Sequence, residues 1–552
     1  MVKTTLQLFF LLSLFILGAC ASKMTNQMKA YRDSYALGDL AKASELLKES
    51  ELKKDKKSKL LWHFESGTLA LAQENYDAAI TDFQTSLELI DQLYTKKISA
   101  KAASFLINDA SDVFYGASYE RSYAHYFLAK AYYARYLKTK NKLDLQGSRA
   151  TILAWDSYFA QLQRSAAPKT IYQTDLMLKI FGAEVHEVSE IRNDKQIALQ
   201  LYKDALDVLN SMGGAFGVFN SKSADYIKEY EEALAQAAKP SQKAYVATSA
   251  KENLKHFITY KILALTKAIR STDFSQQVKA LHPTPEILKK VNEAPANVVI
   301  VLEEGLIPQK VGKPFNFGLK GAVDSVESPG AKAFIATVGA EIITAFAMNT
   351  LGMRPESFQT TGSFIFAHDI TRLAVQEAAI SFELPMIEES PKLKDFDLLV
   401  LDSADKIVKQ EPLAIVSENG SIAKVVLEED VVARYIKTGT RVAVKHLVAI
   451  VAAMQVYQKL KENGEFIAKS AAMATYIASS KGIAAFEKAD TRHWTTLPDA
   501  FRLSELLLPP GTYRVALSEH GKEGDSASRK ILGSIVVNGS GKEIHLFKFI
   551  TP

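Results

Sequence analysis

Glu74-Asn75-Tyr76-Asp77-Ala78-Ala79-Ile80-Thr81-Asp82-Phe83-Gln84-Thr85-Ser86 is the stretch from which the fold is read. A polar turn residue, Asn75, is followed by a small residue at +4 (Ala79), a large ring at +8 (Phe83) and a small residue at +11 (Ser86). On a helix these offsets share one face, so close approach of a neighbouring helix alternates with a filling side chain. Gly67, seven residues before Glu74, marks where the preceding helix would cross. The same spacing recurs at Asp39, Ala43, Leu47 and Ser50, and at Asp194, Ala198, Tyr202 and Ala205.

This pattern resembles the tetratricopeptide repeat, in which helix pairs of about 34 residues stack into a superhelix. The first two copies lie 36 residues apart (39 to 75). The resemblance implies a helical repeat array over 20–290 whose concave groove receives a peptide or protein. Within it, Tyr115-Gly116-Ala117-Ser118-Tyr119-Glu120-Arg121 leads into a helix dense in rings, including Tyr123 and Tyr126. An aromatic stripe at helical spacing fits a core. It equally fits a groove in which Tyr119, Glu120, Arg121, Tyr123 and Tyr126 meet a partner. Gly213-Gly214-Ala215-Phe216-Gly217 reads as a chain reversal, since no Lys-Ser/Thr follows to hold phosphate.

Beyond Pro295 the pattern changes to α+β over 291–552. Short apolar runs at 297–302, 315–319, 379–387, 398–401, 513–517, 534–537 and 543–549 read as strands. The last three, separated by glycine-rich turns, are expected to pair antiparallel. Helices are expected near 332–352, 418–437, 441–462 and 465–487, between the outer strands. Ala333–Met353, largely apolar but interrupted by Thr337, Glu341, Thr344 and Asn349, is long enough to span a membrane, yet Glu341 at its centre would be costly there. A buried helix, or a surface meeting a membrane or partner, accounts for it. The whole chain is thus expected to be multidomain, a helical array followed by an α+β domain with an antiparallel sheet.

The N-terminus carries an address. Lys3 precedes a run from Leu6 to Leu17 that is apolar except for Gln7 and Ser13. Such a run suits a secretory signal over 1–19 and is too short for a permanent span. Leu17-Gly18-Ala19-Cys20 resembles the bacterial lipobox, in which Cys20 becomes lipidated. Cys20 is the sole cysteine of 552 residues, which bars an intramolecular disulfide and any cysteine-rich metal or iron–sulfur site. Acyl chains, at roughly 0.8 kcal/mol per buried methylene, anchor such a protein stably to a membrane. Ala21-Ser22, without Asp, favours the outer membrane over the inner by resemblance to lipoprotein sorting. A periplasm-facing position is expected, with the inner membrane or the cell surface, as for a surface or secretion-apparatus lipoprotein, as alternatives that share the same sequence features.

The chain is 47% hydrophobic and 23% charged with a net charge of +5, ordinary for a folded protein and too weak a basic field for nucleic acid as main partner. Ala489-Asp490-Thr491-Arg492-His493-Trp494-Thr495-Thr496-Leu497-Pro498 is its most unusual string. Asp490, Arg492 and His493 would serve as acid, anion clamp and base if they faced a cleft. Alternatively, Asp490 and Arg492 pair to fix a loop while Trp494 plugs the core. No nucleophile stands at a telling offset. His186-Glu187 lacks the second histidine of a zinc-protease helix, and neither a nucleophile elbow nor a phosphate loop is present. A non-enzyme without cofactor or metal is therefore expected.

The lipobox, the repeats, Tyr-Gly-x-x-Tyr-Glu-Arg, Gly305-Leu306-Ile307-Pro308-Gln309-Lys310 and Ala-Asp-x-Arg-x-Trp-x-x-Leu-Pro occur in one order. Together they resemble an uncharacterised family of tetratricopeptide-containing lipoproteins of Gram-negative envelopes, over about Cys20 to Leu517. The resemblance carries no catalytic residues. Members encoded beside lipoproteins that activate penicillin-binding proteins imply a part in envelope assembly. Two functions follow as expectations. One is a membrane-anchored scaffold binding envelope proteins, in peptidoglycan synthesis or outer-membrane assembly. The other is an envelope hydrolase or transferase with a site around Asp490, Arg492 and His493.

Overall fold

A computed structural model describes residues 24–99, 112–164, 172, 174–189, 191–211, 248–317, 380–389, 393–428, individual positions between 438 and 453, 455–519, 529–539 and 541–550. Cys20 and the leader, the 213–217 turn and the apolar 333–353 segment lie outside these residues.

The N-terminal region is helical: α1 (24–36), α2 (Leu40–Glu49), α3 (Glu51–Lys54), α4 (Lys59–Ala72), α5 (Tyr76–Ser99), α6 (Ser118–Thr139), α7 (Lys142–Arg164), α8 (Leu176–Val188) and α9 (Arg192–Ser211). Then come α10 (Thr248–Ala268), α11 (Phe274–Leu281) and α12 (Pro285–Asn292). Consecutive helices pack as pairs, α4 with α5, α6 with α7 and α8 with α9. All nine residues of the three spaced patterns are buried, from Ala43, Leu47 and Ser50 to Ala198, Tyr202 and Ala205. The turn residues close the helix starts: Asp39 accepts from Lys42 N at 2.9 Å and Asn75 from Ala78 N at 3.3 Å. Gly67 is where α4 and α5 touch, because a Cβ there would stand 2.9 Å from the Phe83 ring.

Among the described residues the C-terminal region forms two four-stranded sheets and one two-stranded antiparallel sheet. Its strands are β1 (Val298–Glu304), β2 (Lys310–Phe317), β3 (Ile380–Ile387), β4 (Phe396–Leu401), β5 (Ile407–Pro412), β6 (Ala414–Glu418), β7 (Ala500–Leu506), β8 (Gly511–Glu519), β9 (Lys530–Val537) and β10 (Glu543–Phe549). Helices α13 (Asn419–Glu428) and α14 (Glu465–Phe486) lie between β6 and β7 in the chain. The first sheet runs β10-β1-β7-β6, the second β5-β4-β8-β9, and β2 pairs with β3. The second sheet is antiparallel throughout. The first is mixed, and this corrects the expected antiparallel group at the C-terminus. β8 and β9 do pair antiparallel, but β10 crosses to the other sheet and runs parallel to β1, with Val298 opposite Glu543. The cause is β1 itself, buried at every residue, which needs a strand on each side and covered faces above and below.

Alternation along β1 shows the layering. Val298, Ile300 and Leu302 pack with Leu398, Val400, Val515 and Leu517 of the second sheet. Val299 and Val301 turn the other way and join one core with the helices. The mixed sheet is thus sandwiched between the helices and the antiparallel sheet. Three strands escape the sequence reading: β5, β6 and β7. β7 sits at the middle of the mixed sheet, yet its sequence Ala-Phe-Arg-Leu-Ser-Glu-Leu carries Arg502 and Glu505, both buried, where charge usually signals a solvent face.

Candidate functional site

The two strings singled out in the sequence, 115–121 and 489–498, meet. The start of α6 and the face of α4 grip the loop that leads into β7. Gly116 opens α6 with a φ of 68°, a left-handed conformation that favours glycine. Three residues into the helix, Glu120 turns back to accept from Ala117 N at 2.6 Å. Its other oxygen accepts from Trp494 N, also at 2.6 Å.

Trp494 is fully buried. Its ring stacks on Phe64 with centroids 4.5 Å apart and lies 4.9 Å from Phe127. Its indole N–H donates to Thr68 Oγ1 at 3.0 Å. One turn before Thr68, Glu65 receives three bonds from the loop: Thr495 N at 2.6 Å, Thr495 Oγ1 at 2.8 Å and Thr496 Oγ1 at 2.5 Å. From α1, Arg32 donates to the carbonyls of Thr495 at 2.5 Å and Leu306 at 3.3 Å. A carboxylate taking backbone and hydroxyl donors, a guanidinium capping carbonyls and an indole between rings are the means by which helical grooves hold an extended peptide. Here the peptide is the chain's own.

Asp490 and Arg492 form a bidentate pair, with Nε and one terminal nitrogen each 2.8 Å from a carboxylate oxygen. The guanidinium also reaches Ser58 Oγ at 3.2 Å and the Asp112 carbonyl at 2.9 Å, which pins the loop to the turns around α4. Burial pushes the Asp490 carboxyl up, but the bond to Arg492 and the charges of Lys310 and Arg492 outweigh it and hold the group below its ordinary range. His493 is buried, and that lowers its pKa to about 3. The ring is therefore neutral, with Nδ1 donating to the Thr491 carbonyl at 2.9 Å. Beside it a cavity of about 40 Å³ is lined by Arg32, Lys310, Thr491 and His493. That has room for water and not for an organic substrate.

The expected partner groove needs correction. Tyr119, Glu120, Tyr123 and Tyr126 are at most 3% exposed, so no second molecule reaches them. Phe501 of β7 occupies their face, stacked on Tyr123 at 5.3 Å and edge-on to Tyr126 at 4.8 Å. Tyr126 OH donates to Glu303 of β1 at 2.9 Å, and Lys130 meets the same oxygen at 2.5 Å. Arg121 is half-buried at the helix start.

A second polar joint, absent from the sequence reading, lies farther along the array. Lys261 of α10 and Lys542, just before β10, bridge Glu184 and Glu187 of α8 to Glu505 of β7. Lys261 stands 2.6 Å from Glu187 and 2.7 Å from Glu505, and Lys542 2.6 Å from Glu505. Tyr202 OH donates to Glu184 at 2.6 Å. Burial raises Glu184 despite both lysines, whereas those lysines outweigh burial at Glu505 and bring it to about 2. Glu65, the one carboxylate of α4, and Glu184, in the middle of the largely apolar α8, were the available signals.

Among the described residues no cluster of His, Asp or Glu is arranged to hold a metal ion, and no helix is long and apolar enough to cross a membrane. No protein-family model, curated protein or solved structure matches the chain.

Proposed function

We propose that this chain is a lipid-anchored scaffold of the bacterial envelope. Cys20 would carry the acyl anchor at the outer membrane, facing the periplasm. Tetratricopeptide-like helix pairs and the β-layers would form one rigid platform for envelope proteins, in peptidoglycan synthesis or outer-membrane assembly. The observation that carries this reading is the use made of the 490–496 loop. Its acid, arginine, histidine and tryptophan bind the chain to itself, with His493 neutral and a water-sized space at its side. The same observation weighs against a hydrolase or transferase site around Asp490, Arg492 and His493. Because the chain's own loop and Phe501 cover the inner face of the helices, partners would meet the platform on its outer faces.

The test is crosslinking in intact cells, followed by purification from membranes, for the wild type and Cys20→Ala. The scaffold reading expects a defined envelope protein recovered with the wild type and lost with the variant, which should leave the membrane fraction. It fails if Cys20→Ala stays membrane-bound. It fails equally if no envelope protein is recovered while the purified chain cleaves cell-wall fragments in a manner abolished by His493→Asn.

A further inference from the structure

Three residues, Ala21, Ser22 and Lys23, separate Cys20 from Met24 at the start of α1. Four steps from Cα to Cα span at most about 14 Å. An acyl anchor on Cys20 therefore brings a bilayer surface to the N-terminal end of α1 and to whatever the fold places beside it.

The fold places a cluster of lysines there. Glu51 N, at the start of α3, donates to Gln27 of α1 at 3.0 Å, and Leu52 and Leu61 line one small cavity with Met24 and Met28. The stretch 48–59, from the end of α2 to the start of α4, is thus docked on the first turn of α1. It carries six lysines, Lys48, Lys53, Lys54, Lys56, Lys57 and Lys59, every one exposed, against three acids, Glu49, Glu51 and Asp55. Lys29 of α1 is exposed as well. Two of the acids are used locally. Asp55 accepts from Lys57 N at 3.0 Å and Ser58 Oγ at 2.6 Å, and Glu51 lies 3.5 Å from Lys54 Nζ. From behind, Phe114 N donates to the Lys57 carbonyl at 2.8 Å and Arg492 to Ser58 Oγ at 3.2 Å, which holds the turn in place. Like charges crowded on a fixed turn repel, and an anionic surface relieves that repulsion. At the edge of the cluster Lys53 Nζ stands 5.6 Å from the centroid of the half-buried Trp62 ring, an amphipathic side chain suited to a membrane interface.

We propose that the lysines of 48–59, with Lys29, form the membrane-facing surface of the molecule and bind the phosphates of anionic phospholipid headgroups. The short tether selects this partner. It holds headgroups beside the lysines at high local concentration, whereas an acidic protein must be recruited from solution. The proposal rests on the lipid-anchor reading of Cys20 and adds an orientation to it. The starts of α1 and α4 lie on the bilayer. The other end of α4 points away, together with the α6–α7 turn that Lys138 joins to it through Glu74 at 3.4 Å.

The test begins with the full-length wild type, held by its own acyl chains in vesicles of phosphatidylcholine or of an equal mixture with phosphatidylglycerol. A membrane-impermeant amine reagent is read by mass spectrometry. Labelling of Lys53, Lys54, Lys56, Lys57 and Lys59 should fall about threefold or more in the anionic vesicles, while Lys138, Lys140 and Lys142 label equally in both. Cys20→Ala isolates the lysines from the anchor. It should sediment with anionic vesicles about tenfold more tightly than with neutral ones, and lose that preference at high salt. Lys54→Gln, Lys56→Gln and Lys59→Gln, added together at exposed positions, should fold normally and remove most of the preference. Lys138→Gln, Lys140→Gln and Lys142→Gln make the same charge change at the far end and should preserve it. Equal labelling of the cluster in both vesicles overturns the proposal. So does a preference that both triple variants lose alike, or salt-dependent binding of a glutamate-rich peptide by Cys20→Ala without any preference for anionic lipid. Release of the wild type from neutral vesicles sinks the anchor reading instead, and the lysine-dependent preference of Cys20→Ala tells the two failures apart.

Discussion

Glu65 is fully buried and takes three donors from the loop it holds, an arrangement made for a carboxylate. Burial nonetheless lifts it to about 7, against the pull of Thr496 and Thr495. In the unfolded chain it titrates near 4.5, so between these limits the native state holds a proton the unfolded state has lost. Its contribution is therefore full at low pH and lost as the pH rises from 4.5 toward 7. Glu65→Gln should flatten this limb. In urea titrations the wild type should lose roughly 3 kcal/mol across the window that the variant does not. His493 acts in the opposite sense. Burial depresses it to about 3, so the unfolded state gains a proton first and stability is lost as the pH falls from 6.5 toward 3. His125 and His446, each lowered by burial to about 4, add to this acid limb. His493→Asn should move the acid-unfolding midpoint, followed by circular dichroism, to lower pH. Trp494→Ala removes the ring between Phe64 and Phe127 and strands Thr68. A loss of about 3–5 kcal/mol in denaturant titration is expected.

Among the elements, the α4–α5 pair and strand β7 respond differently to their sequences. Helix pairing follows from spacing, since a small residue at +4 and a large one at +8 can only bury together on one face. Gly67 shows how tight that contact is. Gly67→Val should push Phe83 off its neighbours Phe127 and Trp494 and cost about 2–3 kcal/mol, read as a lowered denaturant midpoint. β7 has no such local signature. Phe501, Leu503 and Glu505 face the helices, while Arg502 faces the other sheet and meets Glu304 at 2.5 Å and the Leu413 and Lys394 carbonyls. Its charges are buried because partners from five distant segments converge on them, Glu304, Lys394 and Leu413 on Arg502 and Lys261 and Lys542 on Glu505, which no window of sequence displays.

Across the whole molecule, the division at 290 in the sequence reading is a change of secondary structure rather than a break in the core. One hydrophobic core runs from Tyr31 through Trp155 and Val299 to Ile544. Residues 20–290 alone would expose the rings that Phe501 and Trp494 cover. Expressed separately they should bind an apolar dye and unfold without a sharp transition, whereas co-expression with 291–552 should restore both a dry core and cooperative unfolding. Unfolding of the intact chain should give one midpoint by both tryptophan fluorescence and helical circular dichroism. The helices with their capping turns, the continuous apolar run of β1 and the change of character after Pro295 were determined by the sequence alone. Each rests on contacts a few residues apart or on a periodicity of the chain itself. The parallel partner of β1, the place of β7 and the occupant of the helical groove were decided only in the tertiary structure. They depend on which distant segment supplies the missing donor, counter-charge or ring, and that choice is settled by burial and not by local order.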